Sequence, residues 1–388
     1  MGDLFTTATQ AYKYQSPNLS LFERLFLNQF WEVFVQIYPT WLAPNLITLA
    51  GGSCVLGLYA ISWLVCPAEP GYWALCGVLL FGYQTLDGTD GKQARRTKSG
   101  SALGELMDHG VDAVVTAFAA MAVADATGFG VTSPVSWFCV LGGQTAFFLS
   151  NLTLLHKGKQ TFMSIDIMEL QWVMIVTLVL TGVAGPQLWT HERIPGTELP
   201  LRSIVAVGSV TGTVGNIVAY TWSASWPYRL ADAEQVPDHV KRKVPGTGVV
   251  ALLHQIAVIM AYAALGWGNF LMVTAFYAPR RNGDADVRPE ILRAFVVCAS
   301  FAFGDLMDRL LVMRVSHLHL PLFPPCLWWM LAFLVVVGGA QLGPVGAWAV
   351  AAGAVVGHQA FFIWVSNKLA TALNIRVFRI GGVPKKTQ

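Results

Sequence analysis

Residues 87–112 read DGTDGKQARRTKSGSALGELMDHGVD. Four aspartates stand here in two pairs, Asp87 with Asp90 at i, i+3 and Asp108 with Asp112 at i, i+4. At either spacing the two side chains fall on one helix face, a turn apart. The flanks are apolar: GYWALCGVLLFGYQTL precedes the stretch and AVVTAFAAMAVA follows it. Two hydrophobic helices are therefore expected, each carrying two carboxylates, joined by a short basic loop. An ionised carboxylate loses hydration in such surroundings, and two facing pairs repel unless a cation lies between them. Hard oxygen donors at this spacing suit Mg²⁺ or Mn²⁺, and four of them suit two ions. Asp87, Asp90, Asp108 and Asp112 are thus the expected metal ligands.

Outward from this stretch the chain reads as membrane helices. Of its 388 residues, 54% are hydrophobic and only 12% charged, which excludes an ordinary soluble domain. The expected fold class is all-α, a polytopic transmembrane helical protein with about ten spans. They fall near 45–66, 71–93, 101–124, 134–155, 169–190, 201–223, 247–268, 291–313, 322–341 and 344–370. The seventh is the least defined, since apolar character continues to Ala278 past Gly266-Trp267-Gly268. The eighth carries Asp305, Asp308 and Arg309, so it must face protein or end early. Before the spans, LSLFERLFLNQFWEVFVQIYPT (19–40) reads as an amphipathic helix in the membrane interface.

Five regions follow: a cytosolic N-terminus with the interfacial helix (1–43), a six-span unit (44–224), a cytosolic linker (225–246), a four-span part (247–372) and a cytosolic tail (373–388). The sidedness comes from the basic residues. Lys92, Arg95, Arg96 and Lys98, Lys157 and Lys159, and Arg229, Lys241, Arg242 and Lys243 follow even-numbered spans. By the positive-inside rule those loops and both termini are cytosolic, with Arg280, Arg281 and Arg288 as exceptions. The aspartates then open to the cytosol. A net charge of +3 is too small to imply a nucleic-acid partner. The six cysteines show no metal-ligand spacing; Cys66 and Cys76 flank one short loop and would pair only in an oxidising lumen. The polar N-terminus shows no cleavable signal peptide.

Residues 87–112 also resemble the signature of the CDP-alcohol phosphotransferase family, D-x2-D-G-x2-A-R, eight residues, then G-x3-D-x3-D. Asp87, Asp90, Gly91, Ala94, Arg95, Gly104, Asp108 and Asp112 meet every fixed position. The letters GKQARRT and GELMDHG are similar to the eukaryotic choline/ethanolamine phosphotransferase branch. The resemblance is specific over about residues 40–175 and covers the rest mainly in hydropathy. It implies transfer of phosphocholine or phosphoethanolamine from CDP-choline or CDP-ethanolamine to the hydroxyl of diacylglycerol, with release of CMP. Two Mg²⁺ or Mn²⁺ ions are the implied cofactors, membrane lipids and a second copy of the chain the implied partners. The terminal KKTQ resembles a dilysine retrieval signal, which implies the endoplasmic reticulum or Golgi membrane.

The resemblance also distributes roles. Gly91, Ala94 and Gly104 leave room for substrate, Arg95 forks onto phosphate or cytidine, and Gln93 and Lys92 are further polar contacts. The general base is His109, whose ordinary pKa suits proton removal near neutrality, or Asp112, the candidate across the wider family. Asn45 in WLAPNLIT is either a helix cap behind Pro44 or the cytidine-facing Asn of a P-N-x-I/L-T motif. Glu169, with Asp166 and Gln171, resembles an I-D-x-x-E-x-Q string at the substrate mouth. Two other functions remain open at this point. One is a CDP-diacylglycerol-dependent phosphatidyltransferase acting on an alcohol such as inositol; the other is a divalent-cation transporter with midplane carboxylates.

Overall fold

The computed structural model describes residues 20–157, 167–225, 249–279, 286–316, 320–321 and 323–382. Asp166, most of the 225–246 linker, Arg280 and Arg281, His317 and His319, and the KKTQ end lie outside them.

The interfacial segment forms a helix (α1) that is π-helical over Glu23–Leu27, α-helical over Asn28–Phe34 and 3-10 over Val35–Ile37. The long helices follow: α2 (Pro44–Leu64), α3 (Tyr72–Arg96), α4 (Ala102–Ala126), α5 (Pro134–Lys157) and α6 (Ile167–Ala184). After a single turn, α7 (Gln187–Thr190), come α8 (Arg202–Ser225), α9 (Val249–Phe276), α10 (Arg288–Ser316), α11 (Pro325–Phe333, extended by a π turn to Gly339) and α12 (Gly343–Leu373). Among the described residues, seven of these helices are long and apolar enough to cross a membrane. Helices α3 and α10 match them in length but carry the charged residues singled out above.

Three predicted boundaries move. The seventh span is one unbroken helix to Phe276, because glycine costs a helix only about 1 kcal/mol and Gly266 packs against Leu141 of α5. The fifth ends at Ala184, where Gly185 takes a left-handed φ of 83° ahead of Pro186. The ninth, Pro325–Gly339, is shorter than the roughly 30 Å apolar thickness needs. The tail also holds structure the pattern did not suggest. Asn374, at φ 53°, ends α12, and Ile375–Arg376 (β1) pairs antiparallel with Arg379–Gly382 (β2).

The two halves of the chain share one core. Helix α10 packs against α4, α11 and α12 and is buried over most of its length, as a helix without an apolar stripe must be. Asp305, Asp308 and Arg309 face protein, as expected. Arg293 pairs with Asp125 of α4 at 2.7 Å and lies over the Tyr59 and Trp63 rings. Arg309 pairs with Asp305 at 2.8 Å, and Asp308 lies 3.1 Å from His358 of α12. Trp137 of α5 stacks on Phe295 of α10 with centroids 4.9 Å apart. The Cys66 and Cys76 sulfurs stand 4.0 Å apart as free thiols.

Candidate active site

Helices α3 and α4 are joined by a tight turn over residues 97–101, in which Lys98 adopts φ 53°. The Ser101 hydroxyl caps α4 by accepting the Gly104 N–H at 3.2 Å. The two helices then diverge and touch little, while α2 packs along both. The resulting cleft holds the aspartates. Asp87, Asp90 and Asp108 each offer a carboxylate oxygen within 4.8 Å of the others. Asp112, a turn further along α4, accepts a hydrogen bond from the Tyr83 hydroxyl at 2.6 Å. Thr48 of α2 donates its hydroxyl to Asp90.

The donor set fits a hard divalent cation. Three carboxylates converge in a partly buried cleft, and among the described residues no lysine or arginine pairs with any of the four aspartates. Leaving three negative charges at this distance without compensation is costly, and an oxygen-liganded cation removes that cost.

His109 lies on the same helix. Its Nδ1 is 2.6 Å from Asn151 Oδ1 of α5. The Asn151 amide nitrogen donates to the Phe147 carbonyl at 3.0 Å, so the oxygen must be the end that faces the imidazole. Nδ1 therefore carries the proton, and in the neutral ring the Nε2 lone pair is free to accept one.

The remaining candidates divide into two groups. Gly91 and Gly104 look onto space rather than packed neighbours. The nearest atoms to a hypothetical Cβ are Arg95 Nη1 at 3.5 Å for Gly91, and Asn45 Oδ1 and Ser101 Oγ, both at 3.8 Å, for Gly104. The exposed Arg95 guanidinium thus folds back along α3 over Gly91, and it has no hydrogen bond or ion pair among the described residues. Ala94 is half-buried on the same stretch. The cap reading of Asn45 does not hold. Ala43 is the N-cap and Asn45 the second helical residue, and its Nδ2 donates to the Val377 carbonyl at 2.7 Å.

The second group ties α1 to the site. Gln93 Nε2 donates to the Pro39 and Leu42 carbonyls at 3.0 and 3.1 Å. Lys92 Nζ is held by Asn28 at 2.6 Å and Glu32 at 2.7 Å. Trp31 lies flat on Gly88, where any side chain would strike the indole. Glu169, at the start of α6, accepts the Phe22 N–H at 2.8 Å, and Gln171 accepts from Gln84 at 3.0 Å. Burial, with the Glu169 charge adding to it, holds the Glu23 carboxyl above its ordinary range against Ser20 and Lys92.

Asn151, Tyr83 and Thr48 were not singled out from the sequence. Asn151 is one buried amide in an apolar helix, with no spacing that links it to His109. Thr48 did carry a signal, since it closes the PNLIT string one turn after Asn45.

Comparison with known proteins agrees with this geometry. Residues 41–214 match the family described as CDP-alcohol phosphatidyltransferase. Cholinephosphotransferase 1 of Xenopus laevis is 37% identical over 212 residues, 53% of this chain and 52% of that protein. The Homo sapiens protein of the same name is 35% identical over 212 residues, 53% of this chain and 51% of its own. The chain thus spans about half the length of the cholinephosphotransferases it matches. A longer match, 27% identical over 381 residues, covers 95% of this chain and 85% of a Dictyostelium discoideum protein named Uncharacterized CDP-alcohol phosphatidyltransferase class-I family protein 2. The eight signature residues lie inside the matched region. Residues 41–214 of this chain therefore match a CDP-alcohol phosphatidyltransferase domain, and the similarity to cholinephosphotransferases covers about the same half of the chain.

Proposed function

We propose that this protein transfers phosphocholine or phosphoethanolamine from the CDP-linked amino alcohol to the hydroxyl of diacylglycerol, forming phosphatidylcholine or phosphatidylethanolamine and releasing CMP. The observation that carries this reading is the cleft itself. Three carboxylates with no lysine or arginine partner among the described residues converge on the helices that carry a histidine whose Nδ1 proton is fixed by Asn151, leaving Nε2 as acceptor. Similarity to cholinephosphotransferases supports the choice of donor and acceptor.

Asp87, Asp90, Asp108 and Asp112 would hold Mg²⁺ or Mn²⁺, two ions in all. When bound, these ions neutralise the diphosphate and stabilise the departing CMP. Thr48 and Tyr83 fix the rotamers of Asp90 and Asp112. Arg95 reaches a phosphate oxygen across Gly91, and Gly104 and Ala94 leave room for the nucleotide. Asn45 meets the cytidine. Glu169 contributes through the start of α1 and Gln93 through the loop between α1 and α2, which they anchor. The lipid hydroxyl gives its proton to His109 Nε2 as its oxygen attacks the β-phosphorus. The bond to the CMP phosphate breaks in line, without a covalent enzyme intermediate. The Tyr83 hydroxyl already occupies one oxygen of Asp112, which favours a ligand role there and leaves the base role to His109.

The proposed setting is the endoplasmic reticulum or Golgi membrane, with the cleft and both termini cytosolic and the protein a homodimer. The test uses membranes from cells that lack such activity and express this chain. Radiolabelled CDP-choline and CDP-ethanolamine are supplied with diacylglycerol and Mg²⁺, beside Asp108→Ala. Label should enter lipid from one or both donors and vanish in the variant. No transfer from either donor in correctly inserted protein overturns the reading, and CDP-diacylglycerol with inositol is then tested in the same membranes.

A further inference from the structure

The far end of the chain returns to the site. After Asn374 reverses the backbone, Ile375 and Val377 pack against the apolar cluster that Leu103, Leu106 and Met107 on the first turns of α4 form with Leu311 of α10 and Val365 and Leu369 of α12. The Val377 carbonyl accepts the hydrogen bond from Asn45 Nδ2 at 2.7 Å, joining residues 332 positions apart. Asn45 lies one helical turn before Thr48, which holds Asp90, and its Oδ1 stands beside Gly104, one turn before Asp108.

A backbone carbonyl can only accept, so at 2.7 Å it must face the nitrogen of the carboxamide. The other end of Asn45 is then determined. Oδ1 is directed toward Gly104, 3.8 Å from where a Cβ would stand, and accepts no hydrogen bond among the described residues. Without Val377 the carboxamide could turn over and present either a donor or an acceptor. With it, the site presents an acceptor over an open surface. Cytosine carries an amino donor at position 4, where uracil carries a carbonyl.

We propose that the C-terminal hairpin is a specificity-determining part of the nucleotide site: the Val377 carbonyl orients Asn45 so that the site takes a cytosine and rejects a uracil. This rests on the proposed reading of Asn45 as the residue that meets the base. Val377 is a positioning residue, acting through Asn45.

The test compares the full chain with a chain ending at Asn374 and with Arg379→Pro, which breaks the Arg376–Arg379 pair at full length. CMP and UMP are titrated as inhibitors of transfer and, separately, as ligands that raise the melting temperature of purified protein. The full chain should prefer CMP. Both hairpin variants should lose about tenfold of that preference, the effect of one hydrogen bond, and KM for the CDP donor should rise more than kcat falls. Asn45→Ala should lose the same preference, and combining it with Arg379→Pro should lose no more. Unchanged preference in the hairpin variants, additive losses in the combination, or a lowered KM showing that the hairpin merely covers the site would each overturn the proposal. The melting measurement needs no turnover. It therefore separates failure of this inference from failure of the transferase reading, which appears as absent transfer by the full chain.

Discussion

Asn151 Oδ1 stands 2.6 Å from His109 Nδ1, across the interface between α5 and α4. The amide is itself turned by the Phe147 carbonyl, so the contact selects one imidazole tautomer. His109→Ala should lower kcat by about 10²- to 10⁴-fold, the usual worth of a positioned base. Asn151→Asp should place a carboxylate against the ring and favour the imidazolium. The base must be neutral to act, so the acid limb of the pH–rate profile should move to higher pH. An unmoved limb would show that the imidazole is not the titrating base.

Chelation should abolish transfer, and Mg²⁺ or Mn²⁺ should restore it. Because the ions bind the folded cleft and relieve its like charges, adding them to chelated protein should also raise the melting temperature. Asp90→Asn should blunt that rise, which makes the measurement independent of turnover.

Gly110 faces Asp308 of α10, with Oδ1 2.5 Å and Phe362 Cε2 3.3 Å from the position of a Cβ. Alanine would ordinarily favour a helix by about 1 kcal/mol. Here overpacking at about 1–3 kcal/mol outweighs that gain. Gly110→Ala should lower the melting temperature and activity together, and Asp308→Ser in the same chain should recover part of both.

Helix α1 is held by packing more than by its ion pair. Glu32 is 58% exposed, so its bond to Lys92 is worth little, and Asn28 remains on the same ammonium. Glu32→Gln should leave the melting temperature within about 1 kcal/mol of equivalent stability. Gly88→Leu would force the Trp31 indole off α3 and should cost clearly more, with loss of transfer activity. Equal effects of the two changes would contradict this ranking.

Cys66 and Cys76 approach to 4.0 Å between sulfurs across the loop that joins α2 and α3. A mild oxidant should remove one pair from the six titratable thiols, and Cys66→Ser should prevent it. Counting free thiols with a maleimide before and after oxidation reads the result.

Much of this protein was legible from the chain alone, for reasons that are local. Twenty-residue apolar runs identify helices, because a membrane leaves the backbone no other partner than itself. Carboxylates at three and four residues share a face on any helix, so Asp87 could be paired with Asp90, and Asp108 with Asp112, before any packing was known. The helix before the first span was legible from its periodicity in the same way. What only the tertiary structure decided involves pairs distant in sequence. Asn151 and His109, Asp308 and Gly110, and Val377 and Asn45 lie on separate helices or at opposite ends of the chain. No spacing encodes such a pair, because helix packing sets which faces meet, and a single polar side chain in an apolar helix looks the same whether it orients a base or fills a gap. The cap reading of Asn45 failed for that reason: its local sequence suits a helix start, while its hydrogen bond goes to the turn of a hairpin formed 332 residues later.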